Sequence, residues 1–276
     1  MTKSIAPVVA TYYDNVVTVV AQGADVMAPH VTVKTGIVGL TAEFPRLTRG
    51  MARLHVPSAP RVPMNVTYEK TVVTMSAWSA AQYVDDIEAT YIRFDERPPV
   101  AEALGYAEGR RRTQTVLDAL IAALPTATIP DGGGGMTDAK LRQVARIFDS
   151  RAVPYGQRKL VVSATVYDQI RGLPIAQSKD FGETSAARSG QVPMVYGLDI
   201  IMVDDARDEG GLPIASNIRR CYAFDKAALA LAIGKESSLE INWVPERRSW
   251  LMERAFTCGA GILDPNCVLR VDCVES

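Results

Sequence analysis

Residues 31–38, VTVKTGIV, and residues 66–75, VTYEKTVVTM, frame the stretch of sequence that decides the fold. Both are rich in β-branched residues, and the second alternates in part between apolar and polar residues, which predicts two β-strands. The residues from 36 to 75 hold three glycines and four prolines, a composition unusual for a globular interior. We therefore predict that the two strands are joined by a long, exposed excursion. Loops of more than about 15 residues without a helix usually have a function.

The excursion is basic, and the sequence that follows it is acidic. From residue 34 to residue 70 six lysines and arginines stand against two glutamates, a net charge of +4, whereas residues 83–96 have a net charge of −4. Such charges are ordinary on a solvated loop. The alternative is that the excursion of one copy lies on the acidic segment of an adjacent copy. The candidate contact residues are four arginines and three carboxylates: Arg46, Arg49, Arg53, Arg61, Asp85, Asp86 and Glu88.

The excursion has a predicted arm before it and a predicted long helix after it. The first 35 residues lack long periodicity, and residues 16–20, VVTVV, predict one short strand within the arm. Prolines at both ends bound a helix over residues 100–124, in which Gly105 and Gly109 are interpreted as tolerated. The three arginines at 110–112 point in three directions on a helix, so we expect a solvated or interface role rather than a nucleic-acid patch.

Four consecutive glycines, residues 132–135, mark the clearest boundary in the chain. They fit no phosphate-binding spacing, and we interpret them as a linker or flexible turn. Beyond them the pattern predicts a small mixed α/β domain. Its helices are expected at 138–151, capped by Thr137, and at 164–171 and 226–233, and its strands at 159–163, 198–203 and 219–224. Three further strands, at 239–244, 248–257 and 268–274, are expected to return to the early strands and the long helix.

Composition excludes several classes of protein. The chain has 276 residues, 47% apolar and 22% charged, which is ordinary for globular proteins and excludes disordered and fibrous ones. Thirty lysines and arginines balance 31 aspartates and glutamates, so a stand-alone nucleic-acid-binding module is disfavoured. No apolar run approaches the ~20 residues that span a bilayer. The first residues lack the features of a secretory signal, so we expect no export.

Catalytic and metal-binding chemistry finds little support in the sequence. The four cysteines make no CxxC pair, and we expect buried free thiols. Only His30 and His55 supply imidazoles. The best enzyme constellation is His55 with Asp85 or Asp86 and Ser76, and no spacing rule joins these residues. We expect neither an enzyme nor a cofactor.

The order of arm, long hairpin, acidic segment, long helix, α/β insert and return strands resembles the major capsid proteins of tailed double-stranded DNA bacteriophages, which have the Hong Kong 97-like fold. The resemblance covers residues 30–276. The stretches that carry it are residues 36–47 (GIVGLTAEFPRL), 94–97 (FDER), 197–203 (GLDIIMV), 230–236 (ALAIGKE), 244–250 (VPERRSW) and 259–264 (GAGILD). None of them is a catalytic signature.

The resemblance implies an α+β fold divided in the way that this family is divided. Residues 1–32 would be an N-terminal arm, and residues 33–75 the extended β-hairpin called the E-loop, with its strands. Residues 76–130 would form a peripheral P-domain with the spine helix. The axial A-domain, of α/β type, would be inserted over residues 131–235, and residues 236–276 would supply the return strands of the P-domain.

The resemblance also implies a function: self-assembly into hexamers and pentamers that form the icosahedral shell of a virion. Such a shell encloses double-stranded DNA without sequence-specific binding and is assembled in the cytoplasm of a host bacterium. The expected partners are other copies of the chain, a portal, a separate scaffolding protein and a decoration protein, with no membrane. An encapsulin-type compartment, which encloses cargo proteins, is the alternative with the same fold.

Overall fold

The computed structural model of the chain describes residues 7–47, 50–52, 54–55, 57, 60, 63–64, 66–85, 95–123, 125–177, 190–192, 194–203, 210–234 and 238–275. These residues form five α-helices and thirteen β-strands. The helices are α1 (Pro7–Ala24), α2 (Arg97–Ala122), α3 (Asp138–Ser150), α4 (Ala164–Arg171) and α5 (Pro174–Gln177). The strands are β1 (Thr32–Ile37), β2 (Thr41–Leu47), β3 (Tyr68–Thr74), β4 (Ser76–Asp85), β5 (Ala127–Ile129), β6 (Arg158–Val162), β7 (Asp199–Met202), β8 (Ile214–Ala215), β9 (Ile218–Asp225), β10 (Leu229–Gly234), β11 (Glu240–Val244), β12 (Ser249–Ile262) and β13 (Val268–Val274).

The strands are arranged in two sheets and a hairpin. The first sheet has the order β1-β10-β12-β11, with β4 also paired to β12. The second sheet has the order β5-β13-β9-β6-β7, with β8 also paired to β9. The largest core lies between the second sheet, α3, α4 and the C-terminal half of α2. The predicted helices at 100–124, 138–151 and 164–171 are confirmed, and the Thr137 side chain accepts a hydrogen bond from the Lys140 backbone N–H, as a cap does.

The short strand expected at residues 16–20 is wrong, because this segment lies within helix α1. Tyr13, Val17 and Ala21 recur at four-residue intervals and are buried. The β-branched composition of the segment favours a strand, but packing of this apolar stripe against α2 outweighs the local preference.

Gly105 and Gly109 of α2 have a structural role that the sequence interpretation missed. Helix α1 runs parallel to α2 and approaches it closely at these two residues. A Cβ atom at Gly105 would lie 2.8 Å from the Cβ of Val20, and one at Gly109 would lie 2.6 Å from the carbonyl oxygen of Ala21. The two glycines therefore allow a helix–helix contact that a larger residue would prevent.

Buried charges connect α1, α2 and β12. Glu108 of α2 accepts hydrogen bonds from Arg112 and from Arg254, with Arg254 Nε 2.7 Å from Glu108 Oε2. Arg254 also donates to Asp14 of α1, over 2.7 Å. Glu108, Arg112 and Arg254 are all buried. The expectation of a solvated or interface role for the arginines at 110–112 is therefore wrong for Arg112, whereas Arg110 is exposed and Arg111 half-buried.

The strand pairing of the excursion differs from the prediction. Residues 31–38 and 66–75 both contain strands, but β1 pairs in parallel with β10, and it is β2 that pairs antiparallel with β3. Gly36, at an irregularity near the end of β1, and Gly39, in the turn between β1 and β2, have φ of +70° and +106°, a conformation that favours glycine. The predicted long hairpin is therefore present, but its first strand is β2, which follows β1 after a short turn, and not the strand predicted at residues 31–38.

The glycines at 132–135 were expected to form a linker or flexible turn. They form a turn that hydrogen bonds hold in place. Gly132 and Gly133 have positive φ. The buried Lys140 ammonium donates hydrogen bonds to the carbonyl oxygens of Gly134, Gly135 and Asp272, at 2.9–3.0 Å. The turn is thus fixed against strand β13.

The predicted helix at 226–233 is wrong. A single 3-10 turn, Lys226–Ala228, leads into strand β10. Leu229 and Leu231 face the largest core, while Ala230 and Ala232 face the hairpin. Because both faces are buried, the alternation of leucine and alanine follows the two-residue period of a strand, which overrides the helical preference of these residues.

The predicted return strands divide between the two sheets. β11 and β12 pair in the first sheet, where β4 also pairs with β12. β13 instead pairs with β9 and β5 in the second sheet. The expectation that residues 268–274 join the early strands is therefore corrected, and β10 likewise belongs to the first sheet although it falls within the predicted insert.

Candidate assembly surface

One face of the β2–β3 hairpin is attached to the body of the subunit. Ala42 and Phe44 of β2 and Val73 of β3 are buried against Ala230 and Ala232 of β10. Alternation along the strands brings these side chains to the same face. The hairpin is therefore held at its base by a small apolar core, and its opposite face is exposed.

Glu43 and Lys70 of the hairpin, and Lys34 of β1, find partners within the same chain. Lys70 donates to Glu43 across the two strands, over 2.7 Å, and this hydrogen bond lowers the pKa of the Glu43 carboxyl. Lys34 donates to the Glu43 carbonyl oxygen at 3.2 Å. Both side chains of the Lys70–Glu43 pair are exposed, so the pair contributes little to stability.

Arg46, a predicted inter-subunit residue, is also paired within its own chain. Its guanidinium donates to the Asp264 carboxylate at 2.5 Å and to the Leu263 carbonyl oxygen at 3.1 Å. Asp264 belongs to the connection between β12 and β13. Arg46 therefore joins the hairpin to the body of the subunit.

The other predicted contact residues are placed only in part. Asp85 is the last residue of β4, opposite Ser249 of β12. Five predicted residues lie outside the described part of the chain: Arg49, Arg53, Arg61, Asp86 and Glu88. Of the two predicted sets only Arg46 and Asp85 are therefore described, and the carboxylate that Arg46 contacts is Asp264.

The end of the hairpin exposes large apolar side chains that the charge analysis overlooked. They are between 53% and 93% exposed, and they are Leu47, Met51, Leu54, Met64 and Tyr68. Leu47 and Tyr68 lie directly opposite each other on β2 and β3. Exposed apolar clusters of this kind mark sites of association. The sequence signal was the presence of leucine and methionine among prolines and glycines, where a solvated loop would be polar.

Of the candidate enzyme residues, Asp85 ends β4 and Asp86 lies outside the described part of the chain. His55 is exposed, and Ser76 is at the start of β4 and exposed. His30 lies 3.8 Å from Asp199, and burial lowers the pKa of its imidazole. Within the described residues no group of three or more histidine, cysteine or acidic side chains has the arrangement of a metal site. No described helix is long and apolar enough to cross a membrane.

All four cysteines, Cys221, Cys258, Cys267 and Cys273, are free and buried. Burial raises the pKa of Cys258, and a hydrogen bond that Cys221 donates to Cys273, together with burial, raises the pKa of Cys221. A raised pKa disfavours the reactive thiolate. Cys221 and Cys258 therefore have the environment of core residues rather than of nucleophiles.

Solved shell proteins share this architecture. The capsid protein of cyanophage P-SCSP1u superposes with a TM-score of 0.67 at 16% identity, over 90% of this chain and 87% of that chain. The capsid protein of Ralstonia phage GP4 gives 0.67 at 12% identity, over 90% and 87%. The virus-like particle from Pyrococcus furiosus gives 0.63 at 12% identity, over 95% and 98%. The fold is that of tailed-phage major capsid proteins, and the predicted fold class is confirmed.

The sequence itself places the chain in a family. A profile of the phage capsid protein family matches residues 5–275, so the chain belongs to that family. No curated protein matches it in sequence. The chain is a major capsid protein, a structural component of the virion that self-assembles into the shell.

Proposed function

We propose that the chain forms hexamers and pentamers in which the β2–β3 hairpin of each subunit lies on the next subunit of the ring. The observation that carries this proposal is the apolar end of the hairpin, which no described part of its own chain covers. A contact between two different patches, repeated around a ring, closes when the rotation between subunits divides the circle. The function is structural, without catalysis or a cofactor.

The division of the chain follows that of the family, with two changes. The hairpin corresponds to the E-loop and α2 to the spine helix. The first sheet corresponds to the P-domain and includes β10. The second sheet corresponds to the A-domain and includes β13, which supports an A-domain built from residues on both sides of the P-domain return strands.

Ionic contacts between subunits supplement the apolar contact in this proposal. Because Arg46 is paired with Asp264 in its own chain, the cations offered to the neighbour are Arg49, Arg53 and Arg61. Asp86 and Glu88 of the neighbour are their proposed partners. Each exposed pair contributes only ~0–1 kcal/mol, and the effect accumulates because every subunit repeats it. Replacing both Arg49 and Arg53 with glutamate should therefore lower shell yield without changing the circular dichroism spectrum of the subunit.

The remaining proposed partners follow from the family. A shell of this kind contains double-stranded DNA, held without sequence-specific contacts, and a net charge of −1 supports weak binding to the packaged strand. A portal, a separate scaffolding protein and a decoration protein complete the proposed set, and assembly takes place in the cytoplasm of the host bacterium.

Negative-stain electron microscopy of the expressed chain tests the proposal directly. Uniform hollow shells are expected, and a purified chain that remains monomeric under all salt conditions would contradict the shell function. The likeness to the Pyrococcus furiosus virus-like particle keeps a second candidate, a cargo-enclosing compartment. Particles isolated from the native source decide between the two, because a capsid contains DNA and a compartment contains a cargo protein.

A further inference from the structure

Strand β4 has one edge that no described strand covers. All ten of its residues, Ser76–Asp85, pair with β12 in one continuous antiparallel register. Among the described residues β12 is its one partner strand, and six of the ten residues are exposed. In an antiparallel ladder every second residue directs its N–H and C=O away from the partner strand. The outer edge of β4 therefore offers the backbone groups of about five residues to a further strand.

The sequence of β4 lacks the features by which proteins protect a free edge. Such edges usually carry lysine or proline, contain a bulge, or are very short. From Ser76 to Val84 the strand has no charged residue, no proline and no glycine, and its register with β12 shows no bulge. A long, uncharged and exposed edge favours the addition of an extended segment from another chain. The backbone groups of this edge thus define its partner as a β-strand.

The hairpin of the same chain is directed away from this edge. Only Met75 separates β3 from β4, which is too short a connection for these two strands to pair with each other. A Cβ atom at Gly261 of β12 would lie 2.7 Å from Val73 Cγ2, so β3 crosses β12 there in close contact. The hairpin then packs over β10, on the opposite side of β12 from β4. The added strand must therefore come from another chain.

Charge indicates which strand is added and in which direction. Residues 48–67, between β2 and β3, contain three arginines and no carboxylate, whereas the acidic run of the sequence begins at Asp85, the last residue of β4. These opposite charges meet if Tyr68, at the outer end of β3, lies near Asp85 of another copy. The added strand is then antiparallel to β4. Of the two hairpin strands β3 is the better donor, because Pro45 deprives β2 of one N–H.

We propose that β3 of one copy adds to the free edge of β4 of the next copy, antiparallel to it and through main-chain hydrogen bonds. The proposal rests on the proposed contact between the hairpin and the next subunit of the ring, and it names the strand that receives the hairpin. The contact joins two different patches, as closure of a ring requires. It also gives the exposed Tyr68 and Val72 of β3 a neighbouring strand that is uncharged from Ser76 to Val84.

Hydrogen exchange measured by mass spectrometry tests the edge with the wild-type chain. In unassembled subunits about half of the β4 amides should exchange fast, since every second N–H points away from β12. In shells the same amides should exchange at least about tenfold more slowly. Residues 249–253 of β12, which pair with β4 on one side and β11 on the other, are the control and should exchange slowly in both states. Equal exchange of β4 in shells and subunits would overturn the edge contact and leave the shell function standing.

Photocrosslinking identifies the added strand. Tyr83 of β4 is 41% exposed, so p-benzoylphenylalanine in its place should fit and should crosslink, in shells, to residues 68–74 of another copy. Mixing this variant with an excess of isotope-labelled wild-type chain keeps shells forming and shows that the link joins two copies. Tyr155, which is exposed and lies between α3 and β6, is the control position and should give no link to β3.

The outcomes separate the edge contact from the shell function. Shells in which Tyr83 gives no link to β3, or links to β4 of another copy or to a different protein, would overturn β3 as the partner. A wild-type chain that forms no shells would overturn the shell function itself.

Discussion

Two regions of the subunit use side chains in opposite ways. At the junction of α1, α2 and β12, charged groups are paired with one another: Glu108, Arg112 and Arg254 are buried, and Asp14 is half-buried. At the end of the β2–β3 hairpin, large apolar groups are exposed. The difference teaches that paired charges can help to fix the packing of the single subunit, whereas the exposed apolar end of the hairpin is the surface that we propose for contacts with other subunits.

Removing the central carboxylate should have the largest effect on the buried region. Glu108→Ala leaves Arg112 and Arg254 buried without their main partner, and loss of one member of a buried ion pair costs about 3–5 kcal/mol. Denaturant unfolding of the subunit measures the change. Glu102→Ala, an exposed glutamate on the same helix, is the matched control and should change stability by less than about 0.5 kcal/mol. Equal effects of the two variants would contradict the assigned role of the charges.

The close contact between α1 and α2 should give the next largest effect. In Gly109→Ala the new methyl group would lie 2.6 Å from the Ala21 carbonyl oxygen, so the helices must move apart. Overpacking of this kind costs about 1–3 kcal/mol. Gly134→Ala is the control, because a Cβ there meets no atom within 4 Å. A thermal midpoint of Gly109→Ala equal to that of Gly134→Ala would show that the helices do not approach as described.

Asp25, next to the buried charges, should make stability depend on pH. Burial raises the pKa of its carboxyl, and Oδ2 accepts no hydrogen bond from the described residues. A carboxyl whose pKa is higher in the folded state stabilises the protein as pH falls through that pKa, and its charged form destabilises at neutral pH. Asp25→Asn should therefore be more stable than wild type at pH 7.5, with the difference shrinking toward acid pH. Urea midpoints across this range measure it, and a constant difference would contradict the assignment.

The hairpin should show the smallest effect on stability and a large effect on assembly. Met51→Ser with Leu54→Ser removes two exposed apolar side chains, so the unfolding free energy should change by less than about 0.5 kcal/mol. Shell yield should nevertheless fall. The control is Glu43→Gln with Lys70→Gln, which removes the exposed ion pair and should leave both quantities nearly unchanged. If the ion-pair variant lost assembly and the apolar variant did not, the comparison would be reversed.

The sequence allowed the fold class to be predicted, together with α2, α3, α4 and most strands of the second half. These elements are signalled by local features, such as prolines at helix ends, the Thr137 cap and apolar periodicity. Pairing could not be predicted in the same way, because β1–β10 and β13–β9 join residues far apart in sequence. The secondary structure of α1 and β10 was predicted wrongly, because burial in these segments opposes the local helix or strand preference of their residues.

The candidate site was predicted only in outline. The hairpin was predicted from its composition. Because the interpretation relied on charge, it missed the exposed apolar end of the hairpin and the partner of Arg46. Asp264 lies more than 200 residues from Arg46 along the chain, and no pattern in either segment indicates the pair. The helix contact at Gly105 and Gly109 did leave a signal, since two glycines four residues apart fall on one face of a helix.

Strand β12 has a mechanical consequence for the shell. Its fourteen residues pair with β10, β11 and β4, and they carry Arg254 to the charges beneath α2. When the contents of a shell press outward, each subunit is stretched in the plane of the wall. Stretching along β12 is resisted by its covalent backbone, whereas stretching across it acts along the ladder hydrogen bonds, which lie perpendicular to antiparallel strands. The wall should therefore be stiffer along β12 than across it, and the subunit should tear first between strands that share only a few bonds, such as β5 and β13.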